Sequence, residues 1–302
     1  NIVITNVRAG ARGMGALITE AVKSLEDKQR QVSEGVAMGI STGWAELDRL
    51  TGGWRPGELT ILAGRPGMGK SSAVMCLLRN AAKSGVAVKI FSLEMGAGQL
   101  VNRLLSMEAE VPLEAIRRAT LNPMQWQDFN LAAGKLAGMD IWVDDNLRMT
   151  AMDIRAGIRR AVQKDKVGLV AVDYIGLVKG NDKKIREQQI EEIVDVLKSS
   201  AKEFQVPVIA LSQLNRALES RDKSKRPQLT DLRSSGSIEA TADMVLFVHR
   251  PEYYGITEDE NGESLVGVAE IIVAKQRDGV TGEVKLRFIH HLTKFVDNNI
   301  PF

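Results

Sequence analysis

Residues 59–71 read Leu-Thr-Ile-Leu-Ala-Gly-Arg-Pro-Gly-Met-Gly-Lys-Ser. A short apolar run, Leu59–Ala63, leads directly into Gly64-Arg65-Pro66-Gly67-Met68-Gly69-Lys70-Ser71, and a helical period over 70–83 follows. This fills every position of the phosphate-loop spacing in the strand-to-helix setting that the motif requires. The glycines let backbone N–H groups converge on phosphate oxygens, and the helix N-terminus adds positive potential. Lys70 then neutralises the β and γ oxygens, and Ser71 reaches Mg²⁺. The predicted nucleotide cradle is therefore Gly64 to Ser72, with ATP and Mg²⁺ as cofactors.

Working outward, further apolar runs at Val86–Leu93, Ile141–Val143, Leu169–Val172, Val206–Leu211 and Met244–Val248 alternate with helical periods at 97–107, 123–137, 151–163 and 186–204. Short β-branched strands separated by helices predict an α/β fold, a mostly parallel sheet covered on both faces. Asn122 before Pro123, and Thr150 three residues before Asp153, predict helix starts. Val268–Ala274 and Val284–Ile289 predict an antiparallel hairpin joined to that sheet.

Carboxyl ends of parallel strands share one edge, so residues there converge on the phosphate loop. Asp173 closes the run 169–172 and suits Mg²⁺ or its water. Alone, such an Asp caps a turn as readily as it holds a metal, and the neighbouring phosphate loop favours the metal role. Glu94, in Ser92-Leu93-Glu94-Met95, is either a general base near the γ-phosphate or a solvated carboxylate. Gln213 could contact the γ-phosphate or the attacking water. Arg277, in Lys275-Gln276-Arg277-Asp278-Gly279, is either a surface arginine or a cation supplied to another subunit.

Composition narrows the partners. The chain has 302 residues, 44% of them hydrophobic and 26% charged, enough for a large core, and no run long enough to span a membrane. The single cysteine, Cys76, cannot form an internal disulfide, which fits a reducing compartment and points to the cytoplasm. Net charge is only +2, so a polyanion site must come from local clustering. Arg216 to Arg233 holds six basic against three acidic residues, including Arg216 and Arg221, and runs into Ser234-Ser235-Gly236. Lys183 and Lys184 make a smaller cluster. Both are solvated loops or phosphate-backbone contacts, and without aromatics they are unsuited to base stacking.

The first 15 residues read as a linker, and 16–32 as an amphipathic helix. We expect the division 1–37, linker with helix, and 38–302, main domain. The start at Asn1 suggests a trimmed chain with a part lying upstream.

Together, Gly64–Ser71, Ser92–Met95, Val172–Leu177, Ala210–Arg216, Asp231–Glu239 and Ala274–Arg277 resemble the C-terminal motor domain of the bacterial and phage replicative helicases, the DnaB family. The resemblance implies a RecA-like fold with a linker helix at 16–32. It implies an ATP-driven ring, usually a hexamer, that encircles single-stranded DNA and moves 5′ to 3′, with primase and a helicase loader as partners. By the same resemblance, Lys70 and Ser71 bind phosphates and Mg²⁺, Glu94 activates water, Asp173 supports the metal and Gln213 senses the γ-phosphate. Arg277 and Lys275 would serve a neighbour's ATP. Lys183, Lys184, Arg216, Arg221, Arg233, Ser235 and Gly236 would face DNA. The family's usual Arg-Glu-Ser-Gly is here Arg233-Ser234-Ser235-Gly236, without the acidic residue. A RecA-like recombinase, a clock-type ring ATPase and a non-hydrolysing ATP-binding scaffold are the competing readings. The helix at 16–32 and the stretch 231–239 favour the helicase over the first two, and Glu94 with Arg277 over the third.

Overall fold

In the computed structural model, residues 13–33, 39–181, 183–215, 218, 225–232 and 235–297 are described. The chain forms two compact units, Asn1–Met38 and Gly39–Phe302. In the first, helix α1 (Met14–Ser33) begins earlier than the sequence predicts and takes Met14 and Gly15 out of the expected linker. The Leu17 N–H bond to the Gly13 carbonyl and the Thr19 hydroxyl bond to the Gly15 carbonyl close that first turn. Leu17, Ile18, Val22 and Leu25 line one exposed apolar stripe of α1.

The second unit is built on a nine-stranded sheet of order β3-β2-β4-β5-β1-β6-β7-β8-β9. The strands are β1 (Leu59–Gly64), β2 (Val88–Ser92), β3 (Ile141–Asp144), β4 (Leu169–Asp173), β5 (Val208–Gln213), β6 (Met244–His249), β7 (Val268–Gln276), β8 (Gly282–Ile289) and β9 (Lys294–Asp297). The first six are parallel. From β6 to β9 the pairing is antiparallel, so the predicted hairpin exists and gains a third strand, β9. β9 is too short to give a period-2 signal of its own.

The helices are α2 (Ala45–Thr51), α3 (Lys70–Lys83), α4 (Ala97–Ala109), α5 (Leu113–Arg118), α6 (Pro123–Ala137), α7 (Ala151–Lys164), α8 (Arg186–Phe204) and α9 (Ser235–Thr241). α6 and α7 start at capping boxes, Asn122 with Gln125 and Thr150 with Asp153, where side chain and backbone satisfy each other's orphan donors. α2, α5 and α9 have six or seven residues each, too few for a clear period.

Two cores lie on opposite faces of the sheet. One packs α3 and α4, through residues such as Leu77, Leu78 and Leu104, against Leu62, Ile90 and Leu211. The other packs α7 and α8, through Ile158, Ile190, Ile193, Val194 and Leu197, against Ile61, Val172 and Val208. Alternate residues of the parallel strands feed opposite faces, and the strands therefore read as continuous apolar runs. In α7, Gly157 is required by packing, because a Cβ there would lie 2.7 Å from the Phe91 ring.

Candidate nucleotide site

The phosphate loop spans the turn from β1 to α3. Gly67 and Gly69 adopt positive φ, +80° and +91°, and Gly69 is the N-cap of α3. A side chain at Gly67 would also sit 2.7 Å from the Tyr253 hydroxyl and ring, which would have to swing aside, but it is the positive φ that calls for glycine. Arg65 is buried and donates to the Leu214 carbonyl at 3.0 Å, which ties the loop to the end of β5. Lys70 Nζ donates to the Arg65 carbonyl at 3.1 Å.

The parallel order brings the other strand ends beside it. Gly64 pairs with Gln213, and Ser92 pairs with Asp173. A cleft of about 310 Å³ is lined by Pro66, Gly67, Gly69, Lys70, Ser71, Ser72, Glu94 and Gln213, together with Met95, Arg103, Arg250 and residues of the β8–β9 region. Asp173 is buried beside the loop, near the Ser71 side chain. Burial is the main cause that pushes the Asp173 carboxyl up to about 6. Glu94 adds to the rise, while Ser71, Lys70 and Arg103 oppose it. Burial likewise pulls the Lys70 ammonium down to about 8 against the attraction of Asp173 and Glu94. Burial thus disfavours both charged forms more than their neighbours restore them.

A lysine at the phosphate loop beside a buried carboxylate gives the cleft the charge pattern that suits a phosphate chain with a divalent cation. The Asp173 Oδ2 is buried without a hydrogen-bond partner. With the Ser71 hydroxyl beside it, the pair offers hard oxygen donors that suit Mg²⁺.

Lys275 and Arg277 do not join this cluster. Because β7 runs antiparallel to β6, Gln276 pairs with Met244 and both cations lie at the amino edge of the parallel strands, opposite the phosphate loop. Lys275 Nζ donates to the Glu239 and Ala242 carbonyls, and Arg277 Nη1 donates to Asp243 Oδ1.

The predicted DNA contacts divide in three. Arg216, Arg221 and Arg233 lie outside the described residues. Lys183 and Lys184 are exposed before α8, and Lys184 is paired with Glu192, so it is not a free cation. Ser235 and Gly236 belong to α9, which corrects the expectation of a continuous loop through 236. The cause is Ile238, which buries fully in the core below α9 and winds the segment onto it. Arg226, from the same basic stretch, is paired with Glu270 and Glu283 on β7 and β8.

Two arginines of the cleft escaped the sequence reading. Arg250 directly follows β6, so the strand-end rule that found Glu94 and Gln213 reaches it as well. It is buried, lies 4.0 Å over the Phe288 ring, and donates to Glu252 Oε1 at 3.2 Å and toward the Gly67 carbonyl at 3.4 Å. Arg103 lies on α4 and donates to the Ser72 hydroxyl at 3.0 Å. No local signal marks it, since only the rotation of α4 aims it at the cleft.

A complete phosphate loop opening a helix from a mostly parallel sheet, with carboxylates at the adjoining strand ends, defines the class as an α/β domain of the phosphate-loop type. The DnaB-like helicase C-terminal domain family matches residues 39–297, and the chain belongs to that family. It is 42% identical over 267 residues to the replicative DNA helicase DnaB of Geobacillus stearothermophilus, and 42% identical over 268 residues to the replicative DNA helicase DnaC of Bacillus subtilis. Each match covers 87% of this chain but 58% of the relative, so the chain spans well under two thirds of those proteins. Among solved structures it is similar to an isolated ATPase domain, with a TM-score of 0.84 and 32% identity over 93% of this chain and 98% of that one. A DnaB-like replicative helicase studied with primase gives a TM-score of 0.83 and 30% identity, covering 95% of this chain and 67% of that one.

Proposed function

We propose that this chain is the ATP-hydrolysing motor of a replicative DNA helicase, which assembles as a hexameric ring and moves 5′ to 3′ on single-stranded DNA to unwind duplex. The observation that carries the reading is the convergence of Lys70, Ser71, Glu94 and Gln213 on one cleft, with Asp173 buried beside Ser71 at the same sheet edge.

In this reading the backbone of 64–72 and Lys70 hold the phosphates, and Ser71 and Asp173 hold Mg²⁺. When bound, Mg²⁺ neutralises charge on the β and γ oxygens. Glu94, exposed at the cleft mouth, orients the attacking water and accepts its proton. Gln213 lines this cleft and a second one formed with Tyr174, Arg186, Asn215 and Thr230, so it links the γ-phosphate to the start of the basic segment. Lys275 and Arg277, on the opposite edge, act on the ATP of an adjacent subunit. Lys183, Lys184, Arg216, Arg221, Arg233, Ser235 and Gly236 follow the DNA backbone. The likeness to a helicase studied with primase supports primase as a partner, with a helicase loader alongside, in the cytoplasm.

The test is ATP hydrolysis with and without single-stranded DNA on size-fractionated protein. The parent should be DNA-stimulated. Lys70→Ala should lose nucleotide binding and turnover, whereas Glu94→Gln should bind ATP and not turn it over. Parent-rate hydrolysis by Glu94→Gln overturns the base assignment, and hydrolysis indifferent to DNA overturns the motor reading.

A further inference from the structure

We infer that Arg226 is a positioning residue of the DNA-binding segment: its ion pairs with Glu270 and Glu283 tie 216–233 to the antiparallel side of the sheet, and it takes no phosphate itself. The inference rests on the DNA role proposed above for that segment, and separates the cation that shapes it from those that touch DNA.

The two ends of the segment are fixed by backbone pairing. Leu214 bridges Leu232, and the Asn215 N–H donates to the Asp231 carbonyl at 2.8 Å. Between these ends, Arg226 Nη2 lies 3.1 Å from Glu270 Oε2 on β7 and pairs with Glu283 Oε2 on β8. The buried Pro227 that follows disfavours helix at Arg226, and no helix forms over 225–228. Glu270 is 6% exposed, and burial raises its carboxyl pKa against the pull of Arg226 and Lys285. A carboxylate in that setting holds its counter-charge firmly, because water screens the pair less than it screens one at the surface. His249, the cross-strand partner of Glu270, has its pKa pulled down to about 4, chiefly by burial, so it offers no competing positive charge at neutral pH.

The surroundings exclude a DNA phosphate from Arg226. Glu258, Asp259 and Glu260 line the same cavity, of about 500 Å³, as Arg226 and its two partners. Lys225 and Lys285 offset only part of that negative charge. A phosphate entering there meets like charge, and has to displace two carboxylates from the guanidinium fork. The tie therefore leaves the DNA contacts to other cations of the segment, and lowers the entropy that the segment loses on binding.

The experiment measures single-stranded DNA affinity by fluorescence anisotropy of a labelled oligothymidylate across a salt series, with a non-hydrolysable ATP analogue and Mg²⁺ present. Glu283→Gln and Glu270→Gln each remove a negative charge, which by charge alone tightens DNA binding. Loss of the tie should instead weaken it, by about 3-fold in Glu283→Gln and about 10-fold in Glu270→Gln. Arg226→Ala should weaken it by about 10-fold at every salt concentration with the log–log slope at the parent value, because the number of contacted phosphates is unchanged. The exchange of Arg226→Glu with Glu283→Arg keeps the net charge, and should return affinity to within about 3-fold of the parent. Hydrolysis without DNA should stay at the parent rate in Glu283→Gln, since Glu283 lies outside the nucleotide cleft.

A slope reduced by roughly 0.7 in Arg226→Ala makes Arg226 a phosphate contact and overturns the inference. Unchanged or tighter binding by Glu283→Gln overturns it too, as does a folded exchange variant no tighter than Arg226→Glu alone. Because Glu283 is about half exposed, Glu283→Gln carries the comparison even if Glu270→Gln fails to fold by circular dichroism. Arg233→Ala is run in parallel. If its affinity and slope match the parent, the proposed DNA path is wrong and the inference falls with it; a loss there without one in Arg226→Ala or Glu283→Gln defeats the inference alone.

Discussion

Arg277 Nη1 lies 3.2 Å from Asp243 Oδ1 at the amino edge of the parallel strands, while Lys70 opens α3 at the opposite, carboxyl edge. The sheet separates the two cations within one chain. Arg277 cannot reach the phosphate loop of its own chain, and its side chain is about half exposed.

Arg277→Ala should bind ATP normally and lose on the order of 10³-fold in turnover, the low end for an arginine finger. Mixing Arg277→Ala with Lys70→Ala subunits under exchange should restore part of the activity, because an intact Lys70 on one subunit can then meet an intact Arg277 on the next. Assembled mixed rings with no recovered hydrolysis would show that Arg277 is a turn residue of its own chain.

Asp243 is a structural hub. Its Oδ2 accepts the Leu59 N–H at 2.7 Å and pairs with the buried Lys198 ammonium, while Oδ1 meets Arg277. Asp243→Ala leaves Lys198 buried without its counter-charge, and should cost about 3–5 kcal/mol of stability. A denaturant melt reads this directly, and an unchanged midpoint would refute it.

The Lys70 pKa near 8 gives nucleotide affinity a pH dependence. Bound phosphates favour the charged ammonium, so its pKa is higher in the complex than in the free protein. Affinity is therefore at its plateau below pH 8 and falls as pH rises above it, by up to about tenfold per unit until the pKa of the complex is reached. Titrating a non-hydrolysable ATP analogue between about pH 7 and 9.5 tests the sign, and a flat profile contradicts it.

The basic segment 216–233 should hold single-stranded DNA through phosphates. Affinity should then fall with salt on a log–log slope of roughly 0.7 per contacted phosphate, with little base preference. Arg233→Ala should flatten the slope. If slope and affinity both stay at the parent values, the DNA path runs elsewhere.

Local chemistry was enough for the sequence to specify the phosphate loop, the capped starts of α6 and α7 at Asn122 and Thr150, and the strand ends that deliver Glu94, Asp173 and Gln213. Each of these signals sits within a few residues of the structure it encodes, because glycine dihedrals, capping bonds and apolar runs act over one turn or one strand. Tertiary structure decided the rest. The placement of β1 between β5 and β6, and the antiparallel return of β7, put Lys275 and Arg277 on the edge away from Lys70. The burial of Ile238 turned Ser235 and Gly236 into helix, and the rotation of α4 against α3 aimed Arg103 at Ser72. Strand order and helix rotation minimise the free energy of two whole cores, through contacts between residues far apart in the chain, so no short window of sequence contains them. The same holds for the raised Asp173 and lowered Lys70 pKa values, because desolvation comes from everything packed around a charge rather than from its neighbours in sequence.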